Sequence, residues 1–155
     1  MHRVMFVSST GGHLNELLQL KDLFKNYDYS LVTEKTKNNI DLNKKYRHVH
    51  YLIYGTKDHI LTYPFKLLIN ALICIYIYLR ERPEVVVSTG AHVGGLMLLI
   101  AKLFGSNVIY IETFANIHTK TITGKLVYHF ADLFIVQWKD MLKLYPKAKF
   151  GGWIF

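Results

Sequence analysis

The sequence holds a single cysteine, only three prolines and no uninterrupted apolar run of 18 residues. One cysteine excludes an internal disulfide. Cys74 lies in an apolar stretch and is expected as a buried or membrane-facing thiol, in keeping with a reducing compartment. Without a long apolar run there is no transmembrane helix to expect, and the apolar part of "MHRVMFVSS" is too short for a signal peptide. No Pro- or Ser-rich linker and no internal repeat divides the chain, so residues 1–155 are read as one domain. Acidic residues are scarce as well: 11 Asp and Glu stand against 19 Lys and Arg, a net charge of +8. The excess is concentrated. Residues 35–82 carry nine Lys or Arg against Asp41, Asp58 and Glu81, and residues 120–149 carry six Lys against Asp132 and Asp140, whereas residues 83–119 carry Lys102 alone. Such surface points to an anionic partner: a membrane face, a phosphorylated substrate or nucleic acid.

Apolar residues are plentiful, at 51%, and their pattern alternates between strand and helix. "RVMFV" (Arg3 to Val7) is a continuous apolar run, as a strand buried on both faces requires. A helix is expected from about His13 to Lys25, then strands at Tyr29 to Thr33 and His48 to Ile53, joined by the polar "EKTKNNIDLNKKYR". A long apolar helix from roughly Thr62 to Arg82 stops at Pro83. A strand at Glu84 to Thr89, a helix ended by Gly105, a strand at Asn107 to Glu112, a helix near Thr123 to Ala131 and a strand at Leu133 to Gln137 complete the pattern. This alternation predicts an α/β fold: a Rossmann-like parallel sheet with helices on both faces, binding its ligands at the carboxyl ends of the strands.

The motif-like segments fall at that edge. "SSTGGH" follows the first strand, and Thr10, Gly11 and Gly12 suit a turn that offers backbone N–H groups to phosphate, or simply a tight turn. "STGAHVGG" follows the fourth strand and supplies Thr89, Gly90, His92, Gly94 and Gly95. "ETFAN" follows the fifth, with Glu112 and Asn116. His13 can act as a general base, since a histidine titrates near working pH, or it can cap a helix or touch phosphate. Glu112 is a second candidate for the base, a ligand of a sugar hydroxyl, or half of an ion pair. Neither loop is a dinucleotide or Walker fingerprint. Glu34 is a weak candidate for a ribose-binding acid. His48 and His50 form an H-x-H on a strand with no third ligand in view, so no metal and no cofactor are expected.

Together, "SSTGGH", "STGAHVGG" and "IETFAN" resemble the acceptor half of a GT-B glycosyltransferase, over nearly the whole chain. The pattern is similar to the small subunit of split transferases acting on lipid-linked sugars. In eukaryotes that is the membrane-recruiting subunit of the enzyme adding the second N-acetylglucosamine to dolichyl diphosphate. In bacteria it is the matching subunit of capsule and exopolysaccharide transferases. The single-chain relative is the peptidoglycan transferase that makes lipid II. The resemblance matches Gly11, Gly12 and His13 to the first loop of that enzyme, Gly94 and Gly95 to its second glycine loop, and Glu112 to its third-loop glutamate. Ser8 and Ser9 stand where it has an earlier glycine, and Thr113 and Phe114 where an amide-rich pair would be expected. The implied activity is an inverting hexosyl transfer, active only with a donor-binding partner on a second chain. Residues 1–155 would be the acceptor-binding domain for a polyprenyl-diphosphate-linked sugar, with His13 and Glu112 catalytic.

Two further segments invite a role. "PFKLLINALICIYIYLRER" (Pro64 to Arg82) is apolar enough to lie in a membrane interface, with Lys66, Arg80 and Arg82 as basic flanks and Tyr76 and Tyr78 at headgroup level; it can equally be a core helix. The expected place is the cytoplasmic face of the cell membrane, peripheral or monotopic. Trp153, Ile154 and Phe155 are large apolar groups at a terminus, expected to meet the partner or to fold back on the domain. The competing functions are a non-catalytic membrane anchor or activator of the transferase and, further off, a nucleotide- or RNA-binding module. No RNA motif is present, and no nucleic acid partner is expected.

Overall fold

The computed structural model describes residues 1–55 and 63–154. Seven strands form one parallel sheet: β1 (Arg3–Ser8), β2 (Asp28–Glu34), β3 (Val49–Leu52), β4 (Val85–Gly90), β5 (Asn107–Ile111), β6 (Leu133–Val136) and β7 (Lys149–Phe150), in the order β3-β2-β1-β4-β5-β6-β7. The order reverses direction between β1 and β4, which places the switch point of the sheet, and hence the expected ligand crevice, at the ends of those two strands.

The helices are α1 (Gly12–Leu18), α2 (Lys21–Phe24), α3 (Leu42–Lys45), α4 (Tyr63–Glu81), α5 (His92–Leu103) and α6 (Ile122–Val127), with a 3₁₀ turn at Lys139–Lys143. The single helix expected from His13 to Lys25 is two short ones. The N–H groups of Gln19 and Leu20 reach back three residues, to Glu16 and Leu17, and this tightening breaks the α-helical ladder. The polar β2–β3 connection carries α3, whose Leu42 is buried. The helical start expected at Thr62 lies outside the described residues.

Alternation along the strands divides the interior into two cores. Met5, Val7, Val86, Val108 and Tyr110 face α4, α5 and α6 and pack with Cys74, Ile77, Met97 and Leu98. Val4, Phe6, Leu31, Val87 and Ile111 face the other way, against Leu14, Leu17, Phe24 and Leu42. Cys74 is fully buried, and burial pushes its thiol up to about 12, so it is inert packing rather than a membrane-facing group. The second face is covered only in part. Beyond α1 and α2, an apolar groove of about 560 Å³ runs over Val87, Ile109, Ile111 and Ile135.

Gly94 and Gly95 belong to this packing. Both lie inside α5. A Cβ on Gly94 would overlap Ser88 Oγ of β4, and one on Gly95 would stand 2.8 Å from Thr123 Cγ2 of α6. They let α5 approach its neighbours closely. Gly94→Ala should therefore destabilise the fold by about 1–3 kcal/mol through overpacking. Adding Ser88→Ala removes the overlapping oxygen, so the double variant should lose less than the sum of the two single losses in urea titrations. Simple additivity would contradict this packing account.

Candidate functional site

The three expected loops meet at the carboxyl edge, and α1 ties them together. His13 lies in its first turn. The imidazole Nδ1 is 2.8 Å from the carbonyl oxygen of Thr89, and the Thr89 hydroxyl donates to the carbonyl of His13 at 2.7 Å. A carbonyl can only accept, so Nδ1 carries the proton and Nε2 of the neutral ring is left as an acceptor. Gly90, at φ +96°, makes this approach possible: a side chain there would crowd His13 Nδ1 at 3.3 Å and the Tyr110 hydroxyl at 3.2 Å. His13 lines a cavity of about 340 Å³ with His92, Tyr110, Lys120, Thr121 and Thr123.

Glu112, at the end of β5, is 1% exposed and heavily bonded. Its Oε1 accepts from the Thr113 N–H at 3.0 Å, and the Thr121 hydroxyl lies 2.9 Å from Oε1 and 3.0 Å from Oε2. Oε2 also accepts from the Tyr145 hydroxyl at 2.8 Å. Burial, and then the charge of Glu112, push the Tyr110 and Tyr145 hydroxyls upward, so both phenols remain proton donors. Thr121 caps α6 by accepting from the Gly124 N–H at 2.9 Å. A Cβ on Gly124 would overlap Glu112 Oε2, so glycine alone fits beneath the carboxylate. Asn116 closes the same loop, its N–H 3.3 Å from the carbonyl of Thr113.

One acidic residue escaped the sequence reading. Glu16, one turn after His13 on α1, is 4% exposed; its Oε1 accepts from the Thr113 hydroxyl at 2.6 Å and the Phe114 N–H at 3.1 Å, while Oε2 has no partner among the described residues. A glutamate in the first turns of a helix reads as solvated surface. Only its spacing of three from His13, which puts both on one helix face, could have flagged it. Glu34 is not a ribose ligand in this arrangement: its two oxygens accept from the backbone N–H groups of Thr10 and Gly55, each at 3.2 Å. Gly11 and Gly12 differ from the α5 glycines, since nothing stands within 4 Å of where their Cβ atoms would be. His50 pairs with Glu81 at 2.9 Å, and among the described residues no cluster suited to a metal occurs.

The outer face of α4 carries Phe65, Leu68, Ile69, Leu72, Tyr76 and Leu79, all exposed, and Leu99 and Leu103 of α5 and Ile122 and Leu126 of α6 extend the apolar surface. Arg80 and Arg82 are exposed at its carboxyl end, whereas Lys66 is half-buried on the side of Asn70 and Cys74. Tyr78 does not belong there. It falls on the inward face with Cys74 and Ile77, is 7% exposed, and its hydroxyl bonds Ser106 Oγ at 2.6 Å while its ring packs on Phe104. Among the described residues no helix is long and apolar enough to cross a membrane. At the carboxyl terminus Trp153 packs on Phe114 and Trp138, with ring centroids 5.6 and 5.1 Å apart, yet stays 62% exposed. The Ile154 N–H bonds Gln137 Oε1 at 3.2 Å, and Ile154 lines the apolar groove; Phe155 lies outside the described residues.

The sequence model of the family described as "Oligosaccharide biosynthesis protein Alg14 like" matches residues 4–154. The chain belongs to the Alg14-like family. The UDP-N-acetylglucosamine transferase subunit ALG14 of Yarrowia lipolytica is 23% identical over 97% of this chain and 80% of that relative. Its human counterpart is 24% identical over 96% and 81%. Among solved structures, MurG of Acinetobacter baumannii superposes with a TM-score of 0.74 at 19% identity, covering 90% of this chain and 43% of MurG. A UDP-N-acetylglucosamine 2-epimerase from Rickettsia bellii gives 0.73 at 16%, covering 99% and 45%. The chain thus spans less than half the length of these structural neighbours. These likenesses show the shared Rossmann-like fold alone.

Burial raises Glu16 above the ordinary carboxylate value of 4.5, against the lowering effects of Thr113, His13 and Phe114, and Glu112 adds to the rise. A raised native value means stability that is complete below about pH 4.5 and lost as pH climbs through the native value. In Glu16→Gln the amide oxygen keeps both accepted bonds and nothing titrates. Wild type should therefore lose stability relative to this variant as pH rises, with a slope of up to about 1.4 kcal/mol per pH unit inside that window. Urea midpoints from pH 4 to 7.5 test it; parallel curves would refute it.

Proposed function

We propose that this chain is the acceptor-binding subunit of a UDP-N-acetylglucosamine transferase that builds capsular or exopolysaccharide at the cytoplasmic face of the membrane. Its acceptor is a polyprenyl-diphosphate-linked sugar, and a partner subunit holds the nucleotide sugar. The relatives' own descriptions as transferase subunits support the donor and the two-chain assembly. The observation that carries the chemistry is the Thr89 carbonyl on His13 Nδ1, which leaves Nε2 as the proton acceptor on the wall of an open cavity.

In this reading an acceptor hydroxyl enters the His13 cavity. Its oxygen attacks the anomeric carbon of the donor from the face opposite the nucleotide, the bond from that carbon to the diphosphate breaks, and the configuration inverts. The hydroxyl proton passes to Nε2, and the nucleoside diphosphate leaves with the partner. Glu112, whose oxygens are filled by Thr113, Thr121 and Tyr145, holds the cavity wall rather than taking the proton. Thr10, Gly11, Gly12 and His92 border the acceptor's path. Trp153 and Ile154, at the edge of the apolar groove, form part of the partner interface.

His13→Ala in the assembled transferase should lower turnover by about 10²–10⁴, the usual effect of losing a general base, while co-purification with the partner persists. Wild-type turnover in that variant would return the function to a membrane anchor or activator. The outer stripe of α4 supplies the second prediction. Leu68→Asp with Leu72→Asp, both on exposed positions, should weaken co-sedimentation with phosphatidylglycerol vesicles by at least about tenfold and leave the melting temperature unchanged. Equal sedimentation would remove the bilayer from this face.

A further inference from the structure

On the far side of the Gly11–Gly12 turn from the His13 cavity lies a wider groove of about 660 Å³, bordered by Thr10, Lys35, Thr36, Lys37, Ile40 and Tyr54. Lys35 and Lys37 are exposed and, among the described residues, make no ion pair, whereas Lys44, Lys102 and Lys143 each hold an aspartate. Glu34, the residue before Lys35, is buried and has both oxygens committed to the N–H groups of Thr10 and Gly55. The floor is fixed as well. The buried Asn39 amide donates to the Glu34 carbonyl at 2.7 Å and to Thr10 Oγ at 3.3 Å, and accepts from the Thr36 N–H at 2.8 Å. Two ammonium groups thus flank a prebuilt, hydroxyl-lined hollow that no carboxylate among the described residues lines.

We propose that this groove binds the diphosphate of a prenyl-diphosphate-linked sugar, with Lys35 and Lys37 as its counter-charges. This rests on the acceptor-binding reading and adds to it the site of the diphosphate. Strongly hydrated point charges two residues apart suit a flexible pair of phosphates. The lipid source is favoured over a nucleotide by position. Tyr54 and Ile40, 44% and 48% exposed, give the groove an apolar wall. Ile53, next to Tyr54, is stapled to α4 through both its N–H and its carbonyl by the buried Asn70 amide, at 2.9 and 2.8 Å. The apolar wall of the groove is thus tied to the amino-terminal half of α4, whose other side exposes Phe65, Leu68, Ile69 and Leu72, apolar surface suited to a prenyl chain. The bare α-carbons of Gly11 and Gly12 let the sugar cross the turn toward His13.

The test is calorimetric titration of the purified chain with farnesyl diphosphate, inorganic pyrophosphate and UDP. Wild type should bind farnesyl diphosphate more tightly than either of the others. Lys35→Gln with Lys37→Gln should weaken it at least about tenfold, as loss of charge-assisted bonds requires, and flatten its salt dependence. His13→Ala should bind as wild type does. In the assembled transferase the lysine variant should raise the acceptor KM at near-constant kcat, whereas loss of His13 lowers kcat, so failure of one reading is distinguishable from failure of the other. No binding by wild type, equal binding by the lysine variant, or tighter lysine-dependent binding of UDP would each overturn the proposal.

Discussion

A buried carboxylate is costly where its lone pairs go unmet, and those of Glu112 are met by Thr113, Thr121 and Tyr145 at once. The partners come from several elements that follow it in the chain. Thr121 starts α6, Tyr145 follows the 3₁₀ turn, and Gln137, after β6, donates its amide to the Glu112 carbonyl at 3.1 Å. The carboxyl-terminal third of the domain is thus oriented around one acid. Gly124 shows how closely it is fitted, since a single added carbon would enter the space of the carboxylate oxygen. Such a group is retained for the geometry it imposes on its neighbours: a partly satisfied network here would be worse than none.

The amino-terminal half is registered to this hub by α1. One helical turn carries His13 to the second loop, through Thr89, and Glu16 to the third, through Thr113 and Phe114. Thr113 serves both acids, its N–H on Glu112 and its hydroxyl on Glu16. The first, second and third loops are therefore not three independent flaps that a ligand must assemble. They are fixed relative to one another by the buried Glu16, Thr89 and Thr113 and the half-buried His13, so the edge is preorganised.

The sheet was legible because its strands are continuous apolar runs that stop at glycine, threonine or glutamate, and those same stops mark the edge where the site lies. The glycines were legible as a set but not as individuals. Gly11 and Gly12 border open space, while Gly94 and Gly95, inside the first turns of α5, serve helix packing against Ser88 and Thr123. No one-dimensional pattern distinguishes a glycine that leaves room for a ligand from one that leaves room for a neighbouring strand. Tyr78 misled for a related reason. In a helix apolar all round, facing is decided by what lies alongside, and Ser106 and Phe104 draw Tyr78 inward while Tyr76 stays out. Glu16 was hidden because its partners are about a hundred residues away in sequence.

The two apolar surfaces left on the domain face in opposite directions. The groove over Val87, Ile109 and Ile135 belongs to the sheet face that α1 and α2 cover only partly, and the stripe from Phe65 to Leu79 is the outer side of a helix on the other face. A protein seated in the groove and a bilayer meeting the stripe would therefore not compete for surface. The carboxyl edge runs between them, with the His13 cavity and the Lys35–Lys37 groove on either side of the Gly11–Gly12 turn. The order of these two hollows along the edge follows from the order of β3, β2, β1 and β4 across the sheet.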